Sequence, residues 1–271
     1  MDQGQAERYS RHIALPEIGA AGQERLLAAR VLVVGAGGLG SPAAMYLAAA
    51  GVGTIGIADF DAVSLSNLQR QVIHSTGGIG RPKTESAALR IAALNPGVKV
   101  ERIDAVIDAS NARETVRAYD FAIDATDNFA AKFLLNDACV MERKPFSHAG
   151  ALRFSGQTFT YVPGVSPCLR CILGGPPAKG ARQGSCGRDG VLGSLCGVIG
   201  SVQAAEAVKW ITGAGKPLSD RLLCVDLLEG SFRTAALPPR DPACPVCGDR
   251  PSILAPVDTD DCPVRLSARQ I

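Results

Sequence analysis

Apolar and polar positions along the chain alternate between two rhythms. The apolar run Val31 to Val34 stops at Gly35, and an alanine-rich stretch reaches Ala50. This pattern predicts a buried strand, a tight glycine-rich turn and a helix. A second strand is expected over 54–58, ending at Asp59, followed by a polar loop from 61 to 80. Pro82 suits the first turn of a helix running to about Leu94, which Asn95-Pro96-Gly97 stops. Further strands are expected over 98–103 and 121–124, with a short helix over 111–117 between them and a longer one from Asp127 to Met141. Before all of these, 5–28 reads as helix interrupted near Pro16 and Gly19. After Pro145 the rhythm changes: paired strands over 146–162, a Gly/Pro-rich loop over 163–189, a helix over 191–212, and strands over 222–226 and 231–235. Strands alternating with helices predict an α/β fold, a Rossmann-like, mostly parallel sheet with helices on both faces and an antiparallel C-terminal extension. One domain is expected over 1–250, with its nucleotide-binding core at about 30–145 and a loose tail over 251–271.

Composition narrows the class. A hydrophobic fraction of 46% with 20% charged residues is that of a globular chain, and a net charge of +2 is too small to make nucleic acid or a membrane the main partner. No apolar run approaches the roughly 20 residues of a bilayer span, and the polar start is unlike a secretory signal. A cytoplasmic setting is therefore expected, where paired cysteines suggest metal or chemistry over disulfides.

Candidate chemistry begins at Gly35-x-Gly37-x-x-Gly40, between a strand and a helix. Glycines there let backbone approach phosphates, and the helix N-terminus favours negative charge. Asp59, nineteen residues after Gly40, falls where a ribose hydroxyl is bound. Asn67, Gln69, Arg70 and Lys83 follow, then Asp127 after a later strand. If the strands are parallel, the turn, Asp59 and Asp127 share one sheet edge. Arg70 and Lys83 then supply cations for a triphosphate, and Asp127 a carboxylate for Mg²⁺. The competing readings are surface charges for the two cations and helix N-capping for Asp127. His12, His74 and His148 have no ligand-like spacing and read as core or surface residues.

The hooks Cys168-x-x-Cys171 and Cys244-x-x-Cys247 together complete a four-cysteine zinc site, closed and therefore structural. Cys139, Cys196 and Cys224 fall in apolar patterns and read as core.

Arg8-Tyr-Ser-Arg11, Gly35 to Ser41, Asp59-Phe-Asp61, Ser66 to Arg70, Lys83 and Asp124 to Asn128 together resemble the bacterial ThiF/MoeB/HesA adenylyltransferases, relatives of the ubiquitin-activating enzymes, over about 5–250. The resemblance implies an enzyme that uses ATP and Mg²⁺ to adenylate the C-terminal Gly-Gly carboxylate of a ubiquitin-like sulfur-carrier protein, for molybdopterin, thiamine or a related thio-metabolite. It implies that Gly38 lies against the nucleotide and Asp59 binds the ribose. Asn67, Arg70 and Lys83 would act on the phosphates, and Asp127 would hold Mg²⁺. Gly35, Gly37, Gly40, Asp61, Ser66, Gln69 and Asn128 complete the implied nucleotide-binding set. Arg11 would reach a neighbouring subunit's site, so a homodimer is expected. Cys186 occupies a loop where some relatives carry a cysteine that joins the carrier covalently; an idle loop thiol is the other reading. With the sequence ending at Ile271, soon after the second hook, sulfur is expected from a separate donor of cysteine desulfurase or rhodanese type. Two other functions remain open, an NAD(P)-dependent dehydrogenase and a non-catalytic, zinc-stabilised partner-binding module.

Overall fold

A computed structural model describes residues 1–177 and 186–258. The strands are β1 (Arg30–Val34), β2 (Thr54–Ala58), β3 (Lys99–Ile103), β4 (Phe121–Asp124), β5 (Phe146–Leu152), β6 (Ser155–Tyr161), β7 (Arg221–Asp226) and β8 (Ser231–Ala236). They form one sheet in the order β3-β2-β1-β4-β5-β6-β7-β8. β1 to β5 run parallel, and β6 to β8 extend the sheet antiparallel. The helices are α1 (Gln3–Arg8), α2 (Ser10–Ile13), α3 (Gly19–Ala28), α4 (Gly40–Ala50), α5 (Lys83–Leu94), α6 (Ala112–Arg117), α7 (Phe129–Met141), α8 (Leu169–Leu173), α9 (Cys186–Asp189) and α10 (Gly193–Thr212).

The alternation of β1 shows why the sheet is covered on both sides. Val31 and Val33 enter one core with Leu47 of α4, Ile91 of α5 and Ile199 of α10. Leu32 and Val34 enter the other with Val116 of α6, Phe133 of α7 and both cysteine hooks. A strand apolar at every position is what burial on both faces requires. No helix among the described residues is long and apolar enough to cross a membrane.

Strand order places the site. The chain leaves β1 toward β2 and β3, then returns to β1's other side as β4. The crevice for ligands in such sheets opens at that reversal, outside the carboxyl ends of the strands. The turns after β1, β2 and β4 all meet there.

Two local expectations are corrected. α7 starts at Phe129 and its cap is Asn128, whose side chain accepts the Ala131 N–H at 2.8 Å. Asp127 lies outside the helix and is not the cap. The 163–189 loop is not wholly irregular, because α8 carries the first cysteine hook. In 251–258 no helix or strand forms, but the Ser252 and Ile253 N–H groups donate to Pro245 O, and Ile253 packs on the core.

Candidate active site and metal centre

The glycine turn is shaped by two close approaches. Gly35 has φ +98°, and a Cβ there would lie 2.7 Å from the Ala125 carbonyl oxygen of the turn after β4. A Cβ on Gly40 would lie 1.8 Å from the Gly35 carbonyl oxygen, so Gly40 permits packing and does not line the cavity. Gly37 and Gly38 do line it. Two side chains brace the turn. Asp59 accepts the Ala36 N–H at 2.8 Å. His74 joins the Ala36 carbonyl, 2.9 Å away, to Ser86 Oγ at 3.0 Å.

A cavity of about 840 Å³ opens over this turn. Gly35, Gly37, Gly38, Asp59, Asp61, Arg70, Lys83, Asp127 and Asn128, all expected site residues, line it together. Lys83, the first residue of α5, is buried; its Nζ lies 2.8 Å from Asp61 Oδ2 and 3.8 Å from Asp59 Oδ2. It is therefore no solvated surface charge. Burial pushes the Asp59 carboxyl above its usual range, against the pull of the Lys83 charge. Arg70 donates to Ser66 O at 3.1 Å and stays half-buried at the cavity wall. Asp127 is exposed at the rim, with no hydrogen bond or ion pair to the described residues.

Arg11, Ser66, Asn67 and Gln69 are not among the lining residues. Ser66 and Asn67 shape the loop: Asn67 Oδ1 accepts the Ser64 N–H at 3.2 Å, and Ser66 Oγ meets Ser64 Oγ at 3.1 Å. Gln69 is exposed and reaches Val191 O at 3.5 Å. Arg11 is exposed on α2. The side chain of Cys186 lies outside the described part, as does Cys262 altogether.

Several wall residues carried no sequence signal as site residues. Cys196 is buried in the core as expected and also backs the cavity wall, Cys224 is half-buried and lines the cavity, and Cys139 is fully buried as expected. A Cβ on Gly38 would meet Cys196 Sγ at 3.0 Å, so this thiol backs the glycine turn. Gln71 is buried in the wall and its Oε1 has no hydrogen-bond partner among the described residues. Its position immediately after Arg70 was the only available hint.

Lys132 lines the cavity, and Asp124 is buried behind it. Lys132 Nζ lies 3.3 and 3.2 Å from the two Asp124 carboxylate oxygens and 2.7 Å from Ala149 O. His148 Nδ1 stands 2.8 Å from Asp124 Oδ2. Burial alone would raise the Asp124 carboxyl, but the Lys132 ammonium and His148 outweigh it and hold it well below the usual carboxylate range. Burial likewise lowers His74 and His148, so both rings are neutral at pH 7. His12 pairs with Gln23 at 3.1 Å, away from the cavity.

The two hooks meet across 76 residues of sequence. Cys168 Sγ lies 3.9 Å from Cys171 Sγ and 3.6 Å from Cys244 Sγ, and Cys171 Sγ lies 3.3 Å from Cys247 Sγ. All four sulfurs fall within 4.8 Å of one another. Thiolates at about 2.3 Å around a tetrahedral ion sit about 3.8 Å apart, so the set fits a metal closely. The chain supports the first hook: Asn136 Oδ1 accepts the Leu169 N–H at 2.8 Å, and Asp137 grips Arg170 at 2.8 and 2.7 Å.

Residues 9–246 match the ThiF family. The chain belongs to that family. Among curated relatives of this ThiF family chain is the SAMP-activating enzyme E1 of Haloferax volcanii, 48% identical over 92% of this chain and 91% of its own length. Another is the sulfur carrier protein adenylyltransferase of Thermus thermophilus, 46% identical over 93% and 94%. Bovine adenylyltransferase and sulfurtransferase MOCS3 is 46% identical, but the match covers 54% of its length. Among solved structures, Escherichia coli MccB with ATP superposes with a TM-score of 0.78 at 26% identity, covering 89% of this chain and 73% of the other.

Proposed function

We propose that this ThiF family chain uses ATP and Mg²⁺ to adenylate the C-terminal glycine carboxylate of a ubiquitin-like sulfur-carrier protein, releasing pyrophosphate. The observation that carries this reading is the convergence of Gly37, Gly38, Asp59, Arg70, Lys83 and Asp127 on one cavity. Relatives named a sulfur carrier protein adenylyltransferase and a SAMP-activating enzyme E1, matched over 94% and 91% of their own lengths, support this choice of acyl partner.

The reaction suits these residues. A C-terminal carboxylate has an ordinary pKa near 3.5 and attacks already ionised, so no general base is required. That agrees with the engaged, neutral His74 and His148. A carboxylate oxygen bonds to the α-phosphorus, the bond to the bridging oxygen breaks, and pyrophosphate leaves with that electron pair. Arg70 and Lys83 would hold the phosphates and offset charge gathering on the leaving group, while Asp59 would accept from the ribose. The wall cations Arg70, Lys83, Lys132 and Arg233 face the carboxylates Asp59, Asp61, Asp127 and Asp226, so the wall is formally neutral. A tetra-anionic nucleotide therefore brings charge the wall leaves unbalanced. Asp127, without a partner among the described residues, fits a divalent cation that would supply the remainder.

The four-cysteine set would hold Zn²⁺ as a closed structural site. The enzyme would act as a homodimer in the cytoplasm, with Arg11 completing the partner's site, and take sulfur from a separate donor. Cys186 is then tested as a covalent link to the carrier. A dehydrogenase would leave Arg70, Lys83 and Asp127 without work.

The test is ATP–pyrophosphate exchange with purified carriers ending in Gly-Gly. Carrier-dependent exchange is expected, lost in Arg70→Ala although that variant folds, and retained in Cys186→Ala. NADH binding without exchange would overturn the proposal.

A further inference from the structure

A buried ion pair in a cavity wall raises a question of purpose, since apolar residues of equal volume are often as stabilising. Lys132 and Asp124 are 7% and 0% exposed. Their contacts draw together four elements and one turn. Asp124 ends β4 and Lys132 lies on α7. His148 and Ala149 belong to β5, and α10 sends Gln203 Nε2 to Asp124 O at 2.9 Å. The turn after β4 is held too: Asp124 Oδ1 accepts from Thr126 Oγ1 at 2.6 Å and from Thr126 N at 3.1 Å.

Lys132 donates to both carboxylate oxygens and to Ala149 O. Its ammonium is thus committed to the protein, even though the residue lines the cavity. Asp127 is the next residue after Thr126. Among the described residues it is the one acid of the wall with no hydrogen-bond or ion-pair partner, so none of them orients its side chain. The turn that carries it is fixed from below by Asp124, and from the side by Gly35 against Ala125 O.

We propose that Lys132 is a positioning residue: by clamping Asp124 it fixes the 125–128 turn and so presents the Asp127 carboxylate to the divalent cation that accompanies the nucleotide. This rests on the adenylation reading, and it assigns a role in that reaction to a group that touches neither substrate. The buried pair preorganises one cation ligand. Its loss therefore weakens the cation-dependent part of nucleotide binding more than the rest.

The experiment compares the full-length parent with Lys132→Met and Lys132→Arg. Calorimetry follows binding of a non-hydrolysable ATP analogue across a Mg²⁺ series, with exchange kinetics and thermal unfolding alongside. In Lys132→Met the Mg²⁺ needed for half-maximal analogue binding is expected to rise about tenfold, the scale of other lost supporting contacts around metal ligands. Affinity at saturating Mg²⁺ should fall far less, and Lys132→Arg should recover most of the shift. A folded Lys132→Met with lowered melting temperature but an unchanged Mg²⁺ requirement would overturn the inference, leaving a merely structural pair. If Lys132→Met does not fold, Thr126→Val decides, since it removes one clamp bond at a half-buried turn. A raised Mg²⁺ requirement there supports the inference, and an unchanged one overturns it. A parent that binds the analogue with the expected Mg²⁺ dependence but shows no carrier-dependent exchange would instead sink the adenylation reading.

Discussion

Replacing Lys83 by methionine removes one cation from the wall while keeping an unbranched side chain of similar reach. Its Nζ stands 3.8 Å from Asp59 Oδ2, a carboxylate already raised by burial. At an effective dielectric of 20, a pair at that distance interacts by about 4 kcal/mol as an upper bound. The Ala36 and Asp61 N–H groups still stabilise the anion, and Asp61 no longer has a cation beside it. Loss of the Lys83 charge is then expected to push the Asp59 carboxyl further above its usual range. Two effects should appear together in pyrophosphate exchange. The rate at pH 8 falls about 10²- to 10³-fold, the usual cost of deleting one charge-stabilising group. The residual kcat/KM for ATP also rises with pH over a higher range than in the parent, because the ribose acceptor must be ionised. An Arg70→Met control should lose rate without gaining that pH dependence, as no ion pair links Arg70 to Asp59. Parent-level exchange in Lys83→Met, or a residual activity flat with pH, would refute this reasoning.

The purified chain should carry one zinc per protomer by elemental analysis. Cys171→Ser or a strong chelator should lower the melting temperature markedly, since a structural site stores folding energy; an unaffected melt would remove the metal from the fold. Stability should also fall as pH drops below about 6.5. His74 and His148 are held neutral by burial, so below that pH the unfolded chain binds protons that the native state refuses. Each histidine contributes at most about 1.4 kcal/mol per pH unit until its native value is reached. The depressed carboxyls, Asp124 and a Glu142 held at about 2 by its Arg117 hydrogen bond, add nothing until pH falls below about 4.5. Denaturant midpoints at pH 7.5 and 5.5 test this, and equal midpoints would contradict it.

Strand and helix positions were legible because their signals are local. Val31 to Val34 is apolar throughout, glycines close the turn, and Asn95-Pro96 ends α5. Asp59, Lys83 and the two cysteine hooks could be singled out by residue type and spacing, and the sheet order then explains why they converge. α7 starts two residues later than its sequence pattern predicts, because Asp127 and Asn128 are both good caps in isolation and Asn128 takes the role. With Asn128 as the cap, Asp127 has no backbone partner among the described residues, which leaves it available at the cavity.

The amino-acid order alone determined a parallel α/β core, a glycine turn at the end of its first strand, and two hooks able to share a metal. Only the tertiary structure decided which inward-facing side chains meet empty space and which meet neighbours. Cys196, Cys224 and Cys139 share the same apolar context in sequence, yet Cys139 is sealed in the core, Cys196 is buried there while backing the cavity wall, and Cys224 is half-buried at the cavity. Lys132 reads as an ordinary polar position on a helix until β4 and β5 bring Asp124 and Ala149 O beneath it. The physical reason is common to both cases. Periodicity fixes the direction in which a side chain points, but what it meets there is set by segments tens of residues away in sequence.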